Sequence, residues 1–246
     1  MADHPTPLKR RDALRLLGAM SVLTLGGCNN ATRSLGATPA QAGSGPGRCT
    51  LTAQETEGPF PLLAMLSNTA LLRQDLTAGK AGVPLQLTLT LQDGKDCAPL
   101  AGAAVYIWHC DKDGIYSGYP DQGDGVDTSG QTFLRGIQVS DASGQVSFST
   151  IYPGWYEGRI THIHVQVYLN DKLTVLATAT TQLAFPQAVT TAVYDSRLYR
   201  ARGQNSSVSR LADDNVFGDG VGTEMLSLTG DVVSGYAATM TLGIAT

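Results

Sequence analysis

Charge is scarce in this chain. Only 15% of its 246 residues are Asp, Glu, Lys or Arg, with Lys+Arg 17 against Asp+Glu 21 and a formal net charge of −4. No basic stripe runs along it that could follow a phosphate backbone, which argues against nucleic-acid binding. No uninterrupted apolar run reaches the ~18 residues of a membrane-spanning helix, and the charged fraction is too low for a coiled coil. Long helices are disfavoured as well, because 28 Gly and 11 Pro punctuate the chain. Apolar residues make up 42%, too many for disorder and enough for the core of one domain or two small ones. The expectation is a soluble, turn-rich β domain.

The first segment reads as an address. Lys9, Arg10 and Arg11 precede an apolar run from Leu16 to Gly27 that ends at Cys28, the layout of an export signal over residues 1–27. The adjacent arginines resemble a twin-arginine signal. Leu25, Gly26, Gly27 and Cys28 resemble a bacterial lipobox, whose Cys carries lipid, although an ordinary cleaved signal has the same outline. Residues 28–48, rich in Ala, Gly, Ser and Thr, read as a flexible tether, and 49–246 as the folded body. Of Cys49, Cys97 and Cys110, the last ends an apolar strand beside Trp108, which suits a buried free thiol. Cys49 to Cys97 is then the preferred disulfide for an exported protein.

The body carries the period of β-structure. From Pro84 to Gln92 the leucines at 85, 87, 89 and 91 alternate with polar residues, a half-buried strand. Similar runs at Ala103–Cys110, Thr132–Ser140, Gln145–Ile151, Ile160–Leu169, Leu173–Leu183 and Ala237–Ile244 predict an all-β antiparallel sandwich with long loops. A short helix fits within Val189–Leu211, and Gln204–Asp219 reads as polar loop.

Chemistry concentrates at HIH. In a strand His162 and His164 point to one side, with Ile163, Val165, Val167 and Leu169 on the other, so the two imidazoles can serve one metal. Many such pairs are only surface histidines. Upstream, YPGWYEGR places Tyr156 and Arg159 six and three residues before His162, and AAVYIWHCDKDGIYSGY places Tyr116 just past a strand end, where loops carry function. His109 shares the face of Val105 and Ile107 and reads as structural. Two phenolates with two imidazoles are hard, strongly donating ligands that favour iron(III) over zinc.

TEGPF at 56–60, AAVYIWHCDKDGIYSGY and YPGWYEGRITHIHV resemble the intradiol ring-cleavage dioxygenases, over about Cys49 to Phe185. The resemblance implies a transthyretin-like sandwich holding Fe(III) through Tyr116, Tyr156, His162 and His164, with no organic cofactor. It implies cleavage of a catechol-type ring by O2 between its two hydroxylated carbons, giving a muconate-type diacid. Arg159 matches the family's active-site arginine, Gln182 a glutamine of the same pocket, and Gly58, Pro59 and Phe60 the wall of the substrate site. The alternatives are a non-catalytic transthyretin-like binding module on a lipid tether, and a zinc or copper enzyme built on HIH alone.

Overall fold

The alternation at 84–92 forms the strand expected of it. In the computed structural model, which describes residues 49–63, 68–169 and 176–246, strand β1 spans Pro84–Asp93, and Leu85, Leu87, Leu89 and Leu91 are all fully buried. Each contributes on the order of 1.5–3 kcal/mol by leaving water. The export signal and tether expected over 1–48 lie outside the described residues.

β1 sits inside a four-stranded sheet of order β4-β1-β8-β7, with β4 at Gln145–Ile151, β7 at Ser227–Asp231 and β8 at Gly235–Ile244. The second sheet has the order β3-β2-β5-β6, with β2 at Ala104–Trp108, β3 at Arg135–Val139, β5 at His162–Tyr168 and β6 at Ala179–Ala184. Between them lies one core, in which the β1 leucines and Phe148 meet Val105, Ile107, Ile163, Val165, Val167 and Leu183. The sandwich expectation holds. One pairing departs from it, because β8 runs parallel to β1, in a register that sets Leu85 beside Tyr236, while every other strand pair is antiparallel.

Several boundaries differ from the expected ones for local reasons. The 132–140 run becomes strand only at Arg135, since Leu134 takes a left-handed φ of 55° that a strand cannot continue. Leu169 is 37% exposed instead of facing the core, because β5 ends at Tyr168. The run expected from Leu173 starts outside the described residues and is strand over Ala179–Ala184. The short helix α1 is at Gln187–Tyr194, beginning just after Pro186, whose fixed φ suits a helix start. Strand β7 has no apolar alternation to announce it: of SLTGD only Leu228 packs on the core. Among the described residues no helix is long and apolar enough to cross a membrane.

The disulfide joins Cys49 to Cys97, with Cα atoms 5.3 Å apart, and Cys110 is a buried free thiol. His109 is structural, as its strand face implied. It is fully buried, with Nδ1 against the Cys110 carbonyl at 2.7 Å and Nε2 against Thr150 Oγ1 at 2.7 Å.

Candidate active site and metal centre

β5 is buried on both faces along its whole length, because the sandwich core covers one face and loops cover the other. Period 2 sends Ile163, Val165 and Val167 into the core and His162, His164, Gln166 and Tyr168 to the loop-covered side. Across the ladder His164 lies opposite Trp108 on β2 and Gln182 on β6. The Trp108 and His164 rings stack at 4.7 Å with 3° between planes, which fixes the imidazole.

Four of the expected groups meet here. His162 Nε2 and His164 Nε2 face each other at 3.0 Å, and Tyr116 Oη is 3.3 Å from His162 Nε2. The Tyr156 ring packs edge-on against both Tyr116 and His162 at 5.6 Å. His162 Nδ1 is 2.6 Å from the Ile160 carbonyl, so that nitrogen carries the proton and Nε2 presents a bare lone pair. Burial, with Arg159 adding to it, lowers the His162 pKa to about 3. Burial and then His162 hold His164 well below its ordinary value. Both imidazoles are therefore neutral, the form that ligates a metal. Burial pushes the Tyr156 phenol up to about 12, against the pull of Arg159, and raises Tyr116 well above the usual phenol.

Tyr116 Oη and His164 Nε2 both lie within 3.3 Å of His162 Nε2, and three buried donor atoms so placed suit a cation that would sit among them and ionise the phenols. Among the described residues no three His, Cys, Asp or Glu side chains are grouped to hold a metal. The donor set depends on tyrosine.

Comparison with known proteins decides the family. A family model described as Dioxygenase matches residues 57–204, which holds all four groups. The chain belongs to the intradiol ring-cleavage dioxygenase family. An intradiol ring-cleavage dioxygenase from Tetranychus urticae superimposes with a TM-score of 0.69 at 26% identity, over 80% of this chain and 95% of that one. Catechol 1,2-dioxygenase 1 of Acinetobacter lwoffii is 31% identical over 107 residues, 43% of this chain and 32% of that protein. Chlorocatechol 1,2-dioxygenase of Pseudomonas sp. (strain P51) is 40% identical over 62 residues, 25% and 22% of the two chains. The chain thus matches about a third or less of the length of these curated relatives.

Within this family framework, the TEGPF segment divides its work. Gly58 adopts a left-handed φ of +66°, and a Cβ built on it would lie 2.9 Å from His164 Cε1, so it packs closely against a histidine ring. Phe60 stacks on Tyr116 at 4.5 Å and meets Tyr156 at 6.0 Å. Pro59 is exposed. Gln182 is fully buried; its Oε1 accepts from Arg159 Nη2 at 2.6 Å and its Nε2 donates to the Thr56 carbonyl at 2.8 Å.

Three supporting residues escaped the sequence reading. Gln122 clamps the backbone of Tyr116, accepting from its N–H at 2.7 Å and donating to its carbonyl at 2.6 Å. Arg135 is a fully buried cation whose guanidinium donates to the Ser117 hydroxyl and carbonyl, the Phe60 carbonyl and the Tyr106 hydroxyl. It thereby joins the Tyr116 loop to the Phe60 segment. Asp214, in the stretch expected to be plain polar loop, pairs with Arg159 at 3.0 Å. Gln122 and Asp214 occupy loops without periodicity, and Arg135 interrupts a strand pattern, so none carried a signal.

Phe60 and Tyr156 also line a cavity of about 580 Å³. Its rim is acidic, with Asp113, Asp121, Asp124 and Glu157 against Arg202.

Proposed function

We propose that the protein is a non-haem iron(III) enzyme that cleaves a catechol-type ring between its two hydroxylated carbons, adding both atoms of O2 and releasing a muconate-type diacid. The observation that carries this reading is the meeting of Tyr116, His162 and His164 donor atoms with Tyr156 packed against them, Tyr156 itself lining a cavity together with Phe60. Held by Tyr116, Tyr156, His162 and His164, iron(III) would act as a Lewis acid that activates a bound catecholate toward O2.

The chain's own residues orient and screen that reaction. Phe60 offers a flat apolar face at the cavity against which a substrate ring can lie. Tyr156, the less buried of the two phenols, is the group suited to take a substrate proton on its Oη. Arg159 is a fixed cation whose charge favours the ionised form of Tyr156, suited to stabilise negative charge that develops on the ring. Gln182 holds it from the other side.

A zinc or copper centre on HIH lacks a third His, Cys or carboxylate among the described residues. A binding module leaves the buried Tyr and His grouping without a purpose. The same proposal places the protein in the periplasm or cell envelope, exported through the Arg10 and Arg11 signal and anchored by lipid at Cys28. The Cys49–Cys97 disulfide supports an oxidising compartment.

Colour tests the centre directly. Protein folded with iron present is expected to bind one iron per chain and to show a visible tyrosinate-to-iron band, with Tyr156→Phe or His162→Ala weakening or abolishing both band and turnover. Colourless protein holding stoichiometric zinc under those conditions overturns the assignment.

A further inference from the structure

Asp214 lies ten residues beyond the stretch that the family model matches, which ends at 204. Its side chain is nevertheless among the most completely committed groups in the molecule. It is 0% exposed, and its partner Arg159 is 8% exposed. Oδ1 accepts from the backbone N–H groups of Val216 at 2.9 Å and Phe217 at 3.1 Å. Oδ2 accepts from the N–H of Ile160 at 2.8 Å and from Arg159 Nε at 3.0 Å.

We propose that Asp214 is a positioning residue of the active site, holding the Arg159 guanidinium in the one orientation that meets Gln182. The proposal rests on the role given to Arg159 above. A carboxylate needed only to fold its own loop would be served by Val216 and Phe217. The two bonds that reach back to residues 159 and 160 serve the site. With Nε held by Asp214 and Nη2 by Gln182, the guanidinium plane is fixed. An arginine otherwise keeps many rotamers, and a cation that must reorganise during reaction loses much of its electrostatic value.

The second link runs to a histidine. Asp214 takes the N–H of Ile160, while the carbonyl of the same residue faces His162 Nδ1 at 2.6 Å. One carboxylate therefore sets the cation and holds the N–H of Ile160, while the carbonyl that sets the imidazole tautomer belongs to the next peptide group and keeps its own contact with His162 Nδ1. A buried carboxylate of this kind is sustained only when its oxygens are bonded, and both oxygens of Asp214 are.

Asp214→Asn tests this, because the amide retains an oxygen for Val216 and Phe217 but turns an NH2 toward the donors Arg159 Nε and Ile160 N. With the iron-loaded protein and catechol, kcat is expected to fall about 100-fold, the scale of one well-placed electrostatic donor. KM, iron content and the visible band should stay near wild type. In an Arg159→Ala background the same change should cost no more than about twofold, since two groups acting as one unit are not additive. An equal loss in both backgrounds, or a loss that only tracks the folded fraction, overturns the proposal.

A second measurement does not need the variant to fold. In wild-type protein labelled with 15N-arginine, the Arg159 Nε–H should exchange far more slowly than that of Arg210, whose pairing with Asp213 is 74% exposed on the arginine side. Equal exchange overturns the proposal. A wild-type chain that cleaves no catechol would instead sink the functional reading, and the exchange comparison would still decide whether Asp214 holds the guanidinium.

Discussion

Replacing Gly58 with Ala adds one methyl group at the back of His164. Two costs follow from the structure. The backbone there has φ +66°, which costs a residue with a Cβ roughly 1–2 kcal/mol. The new Cβ would sit 2.9 Å from His164 Cε1, and the imidazole cannot retreat because Trp108 lies parallel to it at 4.7 Å. Overpacking of this sort costs about 1–3 kcal/mol. Gly79 separates the two contributions: its φ is +80° but a Cβ there meets nothing within 4 Å. Urea unfolding should show Gly79→Ala losing about 1–2 kcal/mol and Gly58→Ala about 1–3 kcal/mol more. Gly58→Ala should also weaken iron binding and move the visible band, since its shift falls on His164, whereas Gly79→Ala should leave both unchanged. Equal losses for the two variants with identical spectra would refute the reasoning.

Glu224 gives a pH test away from the metal site. It is 1% exposed, Oε2 has no partner, and burial followed by the charge of Glu55 raises its pKa to about 7. Between the ordinary carboxylate value of 4.5 and 7 the unfolded chain gives up this proton while the native chain keeps it, so stability falls as pH rises through that window. Glu224→Gln should flatten the slope and add about 1–3 kcal/mol at pH 8 in denaturant titrations; an unchanged slope counts against it. The acidic rim predicts that 3,4-dihydroxybenzoate is turned over several-fold less efficiently than catechol at low ionic strength, with the gap narrowing in salt. Equal kcat/KM at low salt would remove the rim from the account. Changing Arg10 and Arg11 to Lys should strand the protein in the cytoplasm, and Cys28→Ser should block lipid attachment; normal export of the double-Lys protein would point to the general secretory route.

What was legible in the sequence was whatever repeats with a short period or sits in a tight motif. The β1 leucines gave their strand because every second residue is buried. His162 and His164 gave one face of β5 for the same reason, and their tyrosines lie near them in chain or just after a strand. Arg159 was visible, but its surroundings were not, because its partner Asp214 comes from 55 residues away in a loop without periodicity. Gly58 was read as part of the substrate wall, and its packing against the His164 ring was not legible, because what a glycine meets depends on how its loop docks. That loop is placed by long-range bonds, such as Arg135 to the Phe60 carbonyl and Gln182 to the Thr56 carbonyl, which no local pattern encodes.

The parallel pairing of β1 with β8 has a consequence for how the protein is made. β1 cannot complete its sheet until the last strand of the chain has been synthesised, since Leu85 waits for Tyr236 and Asp93 for Ile244. Before then the strands that carry the histidines meet only the β1–β4 half of the second sheet, through the β1 leucines and Phe148. Closure of so non-local a pairing belongs to the slow, millisecond-to-second class of folding events. The sheet that backs the proposed iron centre is thereby completed late in folding, only once β8 has paired with β1.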